Sequence, residues 1–523
     1  MKIKLVAFDD GIVNVGFRRI SSLVKEKYNH VTTYMYDVSG SFAQVKDIFQ
    51  SDPTSKNNDV FINRKFMDEI IDANIIGFSG MSRFANYIKK TITMIRAENK
   101  KIVIVWGGIH ATVFPEDAIK FADAVCIGEG EKSFLLFLEK YSNNESVDNC
   151  KGFWIKKSDH IIKNELFPLL QNQELSSMPF QDYGFNIRYV THDNITDMTK
   201  EIYISQQGSS YVTLWVLGCP FHCTYCSNSK FIKNHKGYAN LRYALPEFIM
   251  EELIYILKFH DYITYISFAD DNILMLKKDI LEQFASLYKE KIGLTLFLPG
   301  LHPSTVDRDK IDILVNAGLK EVRMGIQSGS QRILSFYRRN TPVNQIMKAA
   351  DILSSFVPKI NPPFYDIILD NPIEDKKDKD ETLSLLYNLK RPFMLYIYSL
   401  RTIPGTELHE FAQNHSDLTF LPIEYSYKVI IDKQMGFMVY LLAFYRPSRF
   451  MYNVFLKISK NSFLNKIVFP LIKILYLMKR GYYAVKISNL QPVAMIFPKL
   501  AIFIYKFKKT AKLSFKRLFL LWL

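Results

Sequence analysis

Val216-Leu-Gly-Cys-Pro-Phe-His-Cys-Thr-Tyr-Cys226 sets three cysteines, Cys219, Cys223 and Cys226, in a CxxxCxxC spacing at the end of an apolar run. Three thiolates on one loop converge on a single soft metal centre. A [4Fe-4S] cluster needs four ligands, so one iron stays open to bind something else, and an open iron implies chemistry there. A structural zinc asks for paired ligands; here Cys126 and Cys150 stand alone, and His222 adjoins Cys223 too closely to serve easily as a fourth. Zinc or an empty loop is the lesser reading.

Outward from this loop the chain reads as a βα series. Candidate strands cover 211–218, 262–269, 294–300, 320–327, 364–369 and 394–400, with helical stretches between them such as Pro246–Ile256 and Lys310–Gly318. Six parallel strands with right-handed crossovers predict a partial (β/α)6 barrel over 206–410, its chemistry at the strand carboxyl ends. The cysteine loop follows the first strand. Later strands end in Ser267-Phe-Ala-Asp-Asp-Asn272, Arg323-Met-Gly-Ile-Gln-Ser-Gly-Ser-Gln331 and Tyr365-Asp-Ile-Ile-Leu-Asp-Asn-Pro-Ile-Glu374.

Residues 1–150 alternate apolar strands, at 3–8, 75–79, 102–106 and 124–127, with helical segments. The expectation is a doubly wound α/β domain whose ligand lies at the strand carboxyl ends. Those ends carry Ser79-Gly-Met-Ser82, Gly107-Gly-Ile-His-Ala-Thr112 and Gly128-Glu-Gly-Glu131. Residues 151–205, with weak periodicity, read as a linker, and 411–523 as a mainly helical, basic and apolar region.

The cysteine loop, with Tyr225 before its third cysteine, resembles the signature of the radical S-adenosylmethionine (SAM) enzymes. Ser79 and the Gly107-Gly108 pair, in this order ahead of the loop, resemble the landmarks of cobalamin-binding domains. Together they are similar to the cobalamin-dependent radical SAM class, over residues 1 to about 410. The resemblance implies a [4Fe-4S] cluster on Cys219, Cys223 and Cys226, and SAM chelated at the open iron and cleaved to a 5'-deoxyadenosyl radical. It implies SAM contacts from Tyr225, Asp270, Asp271, Gln327, Ser328 and Asp370. For cobalamin it implies Ser79, Gly107, Gly108, His110, Gly128 and Glu129, with His110 weighed as an axial ligand and, alternatively, as a loop histidine satisfied by hydrogen bonds. Gln327 stands where the family commonly has an acid, Asp370 and Asn371 where many members have glycine, and the early loop Asp9–Asn14 lacks the DxHxxG histidine. The implied reaction is C-methylation, or C–C bond formation or rearrangement, on an unknown substrate. A radical SAM enzyme without functional cobalamin and a non-catalytic cobalamin- or metal-binding sensor remain as alternatives.

At 523 residues and 48% apolar composition the chain has material for several buried cores. Met1–Phe8 runs straight into Asp9 and Asp10, without the longer apolar stretch of a signal peptide, and reads as a first strand. Few cysteines and an oxygen-sensitive cluster point to a reducing cytoplasm, with a reductant such as flavodoxin or ferredoxin. The net charge of +15 is not spread evenly. Residues 434–523 hold 16 Lys and Arg and no Asp or Glu, which leaves 51 basic and 52 acidic residues before them. That tail is rich in Phe, Tyr, Leu, Ile and Met, more than phosphate binding needs, so nucleic acid is disfavoured. Peripheral contact with an anionic membrane, centred on Lys506–Trp522, is the expectation, with a helical cap packed on the barrel as its rival and a small-molecule or lipid-like substrate in view.

Overall fold

The structure, a computed structural model, describes residues 1–38, 60–423, 432–487 and 498–511. The first sheet is built from β1 (Ile3–Asp9), β2 (Val31–Asp37), β3 (Ile75–Gly80), β4 (Val103–Gly107) and β5 (Ala124–Cys126), running in parallel in the order β5-β4-β3-β1-β2. Helices cover both faces, which is why β1, β3 and β4 read as nearly continuous apolar runs. β2 escaped the sequence reading because its Thr32, Thr33, Tyr34 and Tyr36 dilute the apolar signal. Thr33 is nonetheless buried, its hydroxyl 2.6 Å from Ser21 Oγ. In this order the chain changes direction across the sheet between β1 and β3, and a crevice opens there at the carboxyl ends.

Residues 151–205, expected as a linker, extend this sheet instead. β6 (Phe153–Lys156) and β7 (Ile161–Lys163) add antiparallel beyond β5, while β8 (Ile187–Val190) pairs parallel with β2 and β9 (Ile195–Asp197) antiparallel with β8. Each strand is only three or four residues long, too short for an alternating pattern to register.

The second sheet runs β10 (Ser210–Thr213), then, past β11 (Val216–Leu217) and β12 (Arg242–Tyr243), β13 (Tyr265–Phe268), β14 (Thr295–Leu301), β15 (Leu319–Gln327), β16 (Phe364–Leu369) and β17 (Met394–Ser399). Its six strands are parallel and ordered β10-β13-β14-β15-β16-β17, the open barrel that the βα series predicts. β11 and β12 pair antiparallel and bracket the cysteine loop.

Buried polar contacts join the two units. Glu129, after β5, takes both guanidinium nitrogens of Arg242 at 2.7 and 3.1 Å. Arg19 donates to the Leu214 carbonyl at 2.9 Å and lies 3.7 Å from the fully buried Glu252. Glu252 in turn accepts from Tyr211, Thr213 and, from the former linker, Gln181. Helices Lys433–Phe444 and Ser462–Lys486 pack beside β17, helix Arg449–Lys460 packs on those two, and helix Pro498–Ala511 lies against helix Lys200–Gln207. Most of the expected Lys506–Trp522 segment falls outside the described residues.

Candidate active site

The cysteine loop is fixed from both sides before any ligand is considered. Gly218, at φ +99°, begins it; a Cβ there would sit 2.3 Å from the Asn240 carbonyl oxygen, so only glycine passes. The Cys219 amide donates to the Tyr238 carbonyl at 3.2 Å and the Thr224 amide to the Tyr337 carbonyl at 3.1 Å. Cys219 and Cys223 are buried, Cys226 half-buried, and all three are free thiols. Burial pushes the Cys219 thiol up to about 11 and Cys226 to about 12, and the charges of the neighbouring cysteines and Asp271 push further in the same direction. Cys219 and Cys226 both feel the charge of Cys223, so the three side chains of the loop are neighbours. Among the described residues the side chains are not drawn together as a ready metal-ligand group, and it is the chemistry of the donor set, three thiols on one anchored loop, that fits a [4Fe-4S] cluster.

Arg339 stands over the loop. It is 8% exposed, and its guanidinium lies 3.8 Å from Cys223 Sγ and 3.5 Å from the Tyr225 hydroxyl while donating to the Gly325 carbonyl. No carboxylate among the described residues forms an ion pair with it. Asp366 feels its charge without touching it, so a buried guanidinium with no direct ion pair leaves a place for an anion: thiolate on one side, a ligand carboxylate on the other. The sequence reading missed Arg339 because Tyr337-Arg-Arg-Asn340 looks like exposed charge; the available signal was its place one short helix beyond the carboxyl end of β15.

The two aspartates after β13 have separate duties. Asp270 Oδ1 accepts the Trp215 and Val216 amides at 2.6 and 3.0 Å, pinning the chain that leads into the loop, while Oδ2 is buried without a hydrogen-bond partner. Burial lifts its carboxyl to about 7. Asp271 accepts from Asn228 Nδ2 at 2.7 Å and supports the helix after the loop. Gly300, at the end of β14, lets the Asp270 backbone approach; a Cβ would lie 2.4 Å from the Asp270 carbonyl oxygen.

Gln327 and Asp370 both adopt positive φ, +62° and +59°, at the ends of β15 and β16. Strained non-glycine residues concentrate where geometry serves a ligand. Gln327 turns its side-chain nitrogen toward Gly325, beside Arg339. Asp370 is engaged by Ser399 Oγ at 2.5 Å and by the Asp432 amide at 3.0 Å, which ties the barrel to the helix Lys433–Phe444. Ser328 pairs with Thr382 at 3.1 Å. Tyr225 meets Tyr337 edge to face at 5.1 Å, and Phe221 of the loop stacks at 3.8 Å on His302, whose imidazole is held neutral by burial and by Arg339. The structure thus brings Cys223, Tyr225 and Gln327 to Arg339, with Cys219 and Cys226 on the same loop, whereas Ser328, Asp271 and Asp370 are committed to protein contacts.

A cavity of about 580 Å³ separates the two units, in the size range of cofactor pockets. Its walls include Ser79, Gly107, Gly108, Gly128 and Glu129 from the first sheet. Leu214 and Leu217 from the exit of β10, and Asn234 and Tyr238 beyond the cysteine loop, form the opposite wall. Gly108, at φ +85°, packs where a Cβ would be 2.7 Å from Ser79 Oγ, while a Cβ on Gly128, at φ +87°, would meet nothing within 4 Å and point into open space. This bare backbone suits a bulky planar ligand, so cobalamin fits. Asp9, at the end of β1, adds a carboxyl lifted by burial to about 7. His110 does not join it. Its ring is 2% exposed, with Nδ1 3.1 Å from Ser82 Oγ, Nε2 3.1 Å from Asp117 and a stacking contact with Trp106, so the axial-ligand expectation gives way to a satisfied core histidine. Glu129 lines the wall but spends its carboxylate on Arg242.

Residues 214–386 match the Radical SAM superfamily and residues 44–138 the B12 binding domain. The uncharacterized methyltransferase PH0819 of Pyrococcus horikoshii is 25% identical over 346 residues, 65% of this chain and 70% of that protein. The anaerobic magnesium-protoporphyrin IX monomethyl ester cyclase of Rubrivivax gelatinosus is 25% identical over 288 residues, 54% of this chain and 48% of the cyclase, so the chain spans about half its length. Among solved structures, the cobalamin-dependent S-adenosylmethionine radical enzyme OxsB, with aqua-cobalamin and S-adenosylmethionine bound, superposes with a TM-score of 0.60 at 13% identity, covering 98% of this chain and 76% of OxsB. At that identity the likeness is one of fold.

Proposed function

This chain is a radical SAM protein that carries a B12-binding domain ahead of its barrel, and from that premise we propose an enzyme that cleaves SAM reductively to attach a methyl group to an unactivated carbon. The observation that carries the reading is the shared cavity: one wall is the glycine-rich end of the first sheet, the other the strand exit and helix that flank the cysteine loop. When bound, the cluster supplies the electron that breaks SAM to methionine and a 5'-deoxyadenosyl radical, and cobalamin carries the methyl group. Cys219, Cys223 and Cys226 hold three irons, giving up their protons as they do so. Arg339 meets the SAM carboxylate and balances thiolate charge, Asp270 Oδ2 accepts from the SAM ammonium, and Gln327 serves the ribose. Tyr225 offers a ring to the adenine. The apolar walls of the cavity, including Leu214 and Leu217, exclude water from the reacting carbon. Ring closure is the second reading, favoured by the likeness to a cyclase. A small-molecule or lipid-like substrate, a flavodoxin- or ferredoxin-type reductant and a cytoplasmic site complete the proposal.

Anaerobic reconstitution with iron and sulfide tests it. The expected result is a [4Fe-4S] spectrum that SAM perturbs, 5'-deoxyadenosine on reduction, and cobalamin retained through gel filtration. A cluster spectrum indifferent to SAM, with no 5'-deoxyadenosine, would sink the enzyme; loss of cobalamin alone would sink the methyl carrier.

A further inference from the structure

Helix Ser462–Lys486 is built inside out. At 100° per residue, Phe463, Ile467, Leu471, Ile474, Met478 and Tyr482 fall within about 100° of one another and form a single stripe. That stripe faces away from the protein: Phe463 is 70% exposed, Leu471 57%, Met478 66% and Tyr482 59%. Three cations in the middle of the helix, Lys473, Lys479 and Arg480, turn the other way. Lys479 Nζ donates to the Phe393 and Ala443 carbonyls at 3.1 and 2.9 Å, Arg480 lies 4.4 Å over the Tyr396 ring, and Lys473 lies 4.7 Å over Phe469. Buried Tyr476 anchors the same inner face to β17 through the Leu395 amide at 2.8 Å. A helix designed for water would reverse this arrangement.

The stripe is about 28 Å long at 1.5 Å per residue, and no single helix among the described residues is long and apolar enough to cross a membrane. It is flanked by exposed Lys457, Lys460, Lys466 and Lys486, within a sequence, 434–523, that has 16 basic residues and no acidic one. A protein partner would have to supply both an apolar groove and a ring of acids. The surface of an anionic bilayer supplies acyl chains and negative headgroups together.

We propose that the outer face of helix Ser462–Lys486 lies flat in the interface of an anionic membrane, holding the barrel against it. The proposal is independent of the reaction assigned above. Flotation of the full-length protein with phosphatidylglycerol-containing vesicles is the test, with pure phosphatidylcholine vesicles as comparison. The expected result is co-flotation with the anionic vesicles at low salt, weakened by added salt and at least 10-fold lower for the triple variant Phe463→Glu, Leu471→Glu, Met478→Glu. Ile161→Glu, an exposed apolar position on the far sheet, should leave it unchanged. The charge reversal Lys457→Glu, Lys460→Glu, Lys466→Glu, which touches no core residue, should also reduce binding if the triple variant misfolds. Both variants leave 488–523 intact, so undiminished flotation in them would assign the contact elsewhere and overturn the proposal. So would absence of flotation, or a dimer in sedimentation that the triple variant dissolves without any vesicle binding.

Discussion

Arg339 carries its charge to Cys223, and among the described residues no carboxylate forms an ion pair with it. Replacing it with Met removes the anion partner while keeping the volume; SAM affinity, read from the SAM-induced change in the cluster's paramagnetic spectrum, is expected to fall about 10- to 100-fold, in line with about 1.5–3 kcal/mol for a charged hydrogen bond. Arg339→Lys should recover part of it, since the charge returns without the planar fork. Asp270 gives a pH signature of definite sign. Its folded-state carboxyl is raised to about 7, so below that pH it is neutral and gives an ammonium no charge partner. SAM affinity should therefore decline on acidification through 7, approaching tenfold per pH unit. Stability of the ligand-free protein should run the other way, with Asp270's contribution full below its ordinary value and lost as pH rises through 7. Asp270→Asn flattens both profiles. Titrating SAM binding and chemical unfolding across this window checks the pair. The cysteines and the double glycine were legible as residues because their chemistry is rare and their spacing short. Arg339 was not, because its role depends on a neighbour 116 positions away in the chain.

Strand ends are where this protein concentrates backbone constraint. Gly218 before the cysteine loop and Gly300 near the end of β14 are packed so closely on carbonyl oxygens that a methyl group would collide. Gly218→Ala combines that collision with an unfavourable positive φ and should cost about 1–3 kcal/mol, with displacement of Cys219. The expected outcome is a lower unfolding midpoint and incomplete iron loading, measured as iron per chain after reconstitution. Six barrel strands were readable as elements because each carries an apolar run with most of its residues buried or half-buried and is bounded by turn residues. β2 and the short strands of 151–205 were not, since threonines, tyrosines and brief length erase the periodic signal.

The whole molecule is two sheets facing one cavity, and Glu129 with Arg242 is the clamp between them. Arg242→Met leaves a largely buried carboxylate at the cavity wall, so it should destabilise by about 2–3 kcal/mol. Cobalamin retention should drop while the cluster still assembles, because the clamp lies on the cobalamin side and the loop keeps its own anchors. Gel filtration with absorbance of both cofactors separates these effects. The tail belongs to the same scale: its lysines and arginines could be counted in the sequence, but not that the helix Ser462–Lys486 turns several of them inward.

The donor set, the order of the two α/β units and the strands of the barrel are written in the chain itself, because thiol spacing, glycine pairs and apolar runs are local properties. Tertiary structure alone decided which candidates meet. It brought Arg339 to Cys223, divided the labour of Asp270 and Asp271, closed His110 into the core and turned a presumed linker into sheet. Each of these rests on contacts between residues far apart in sequence, and such contacts exist only once the burial of both sheets has fixed the path of the chain between them.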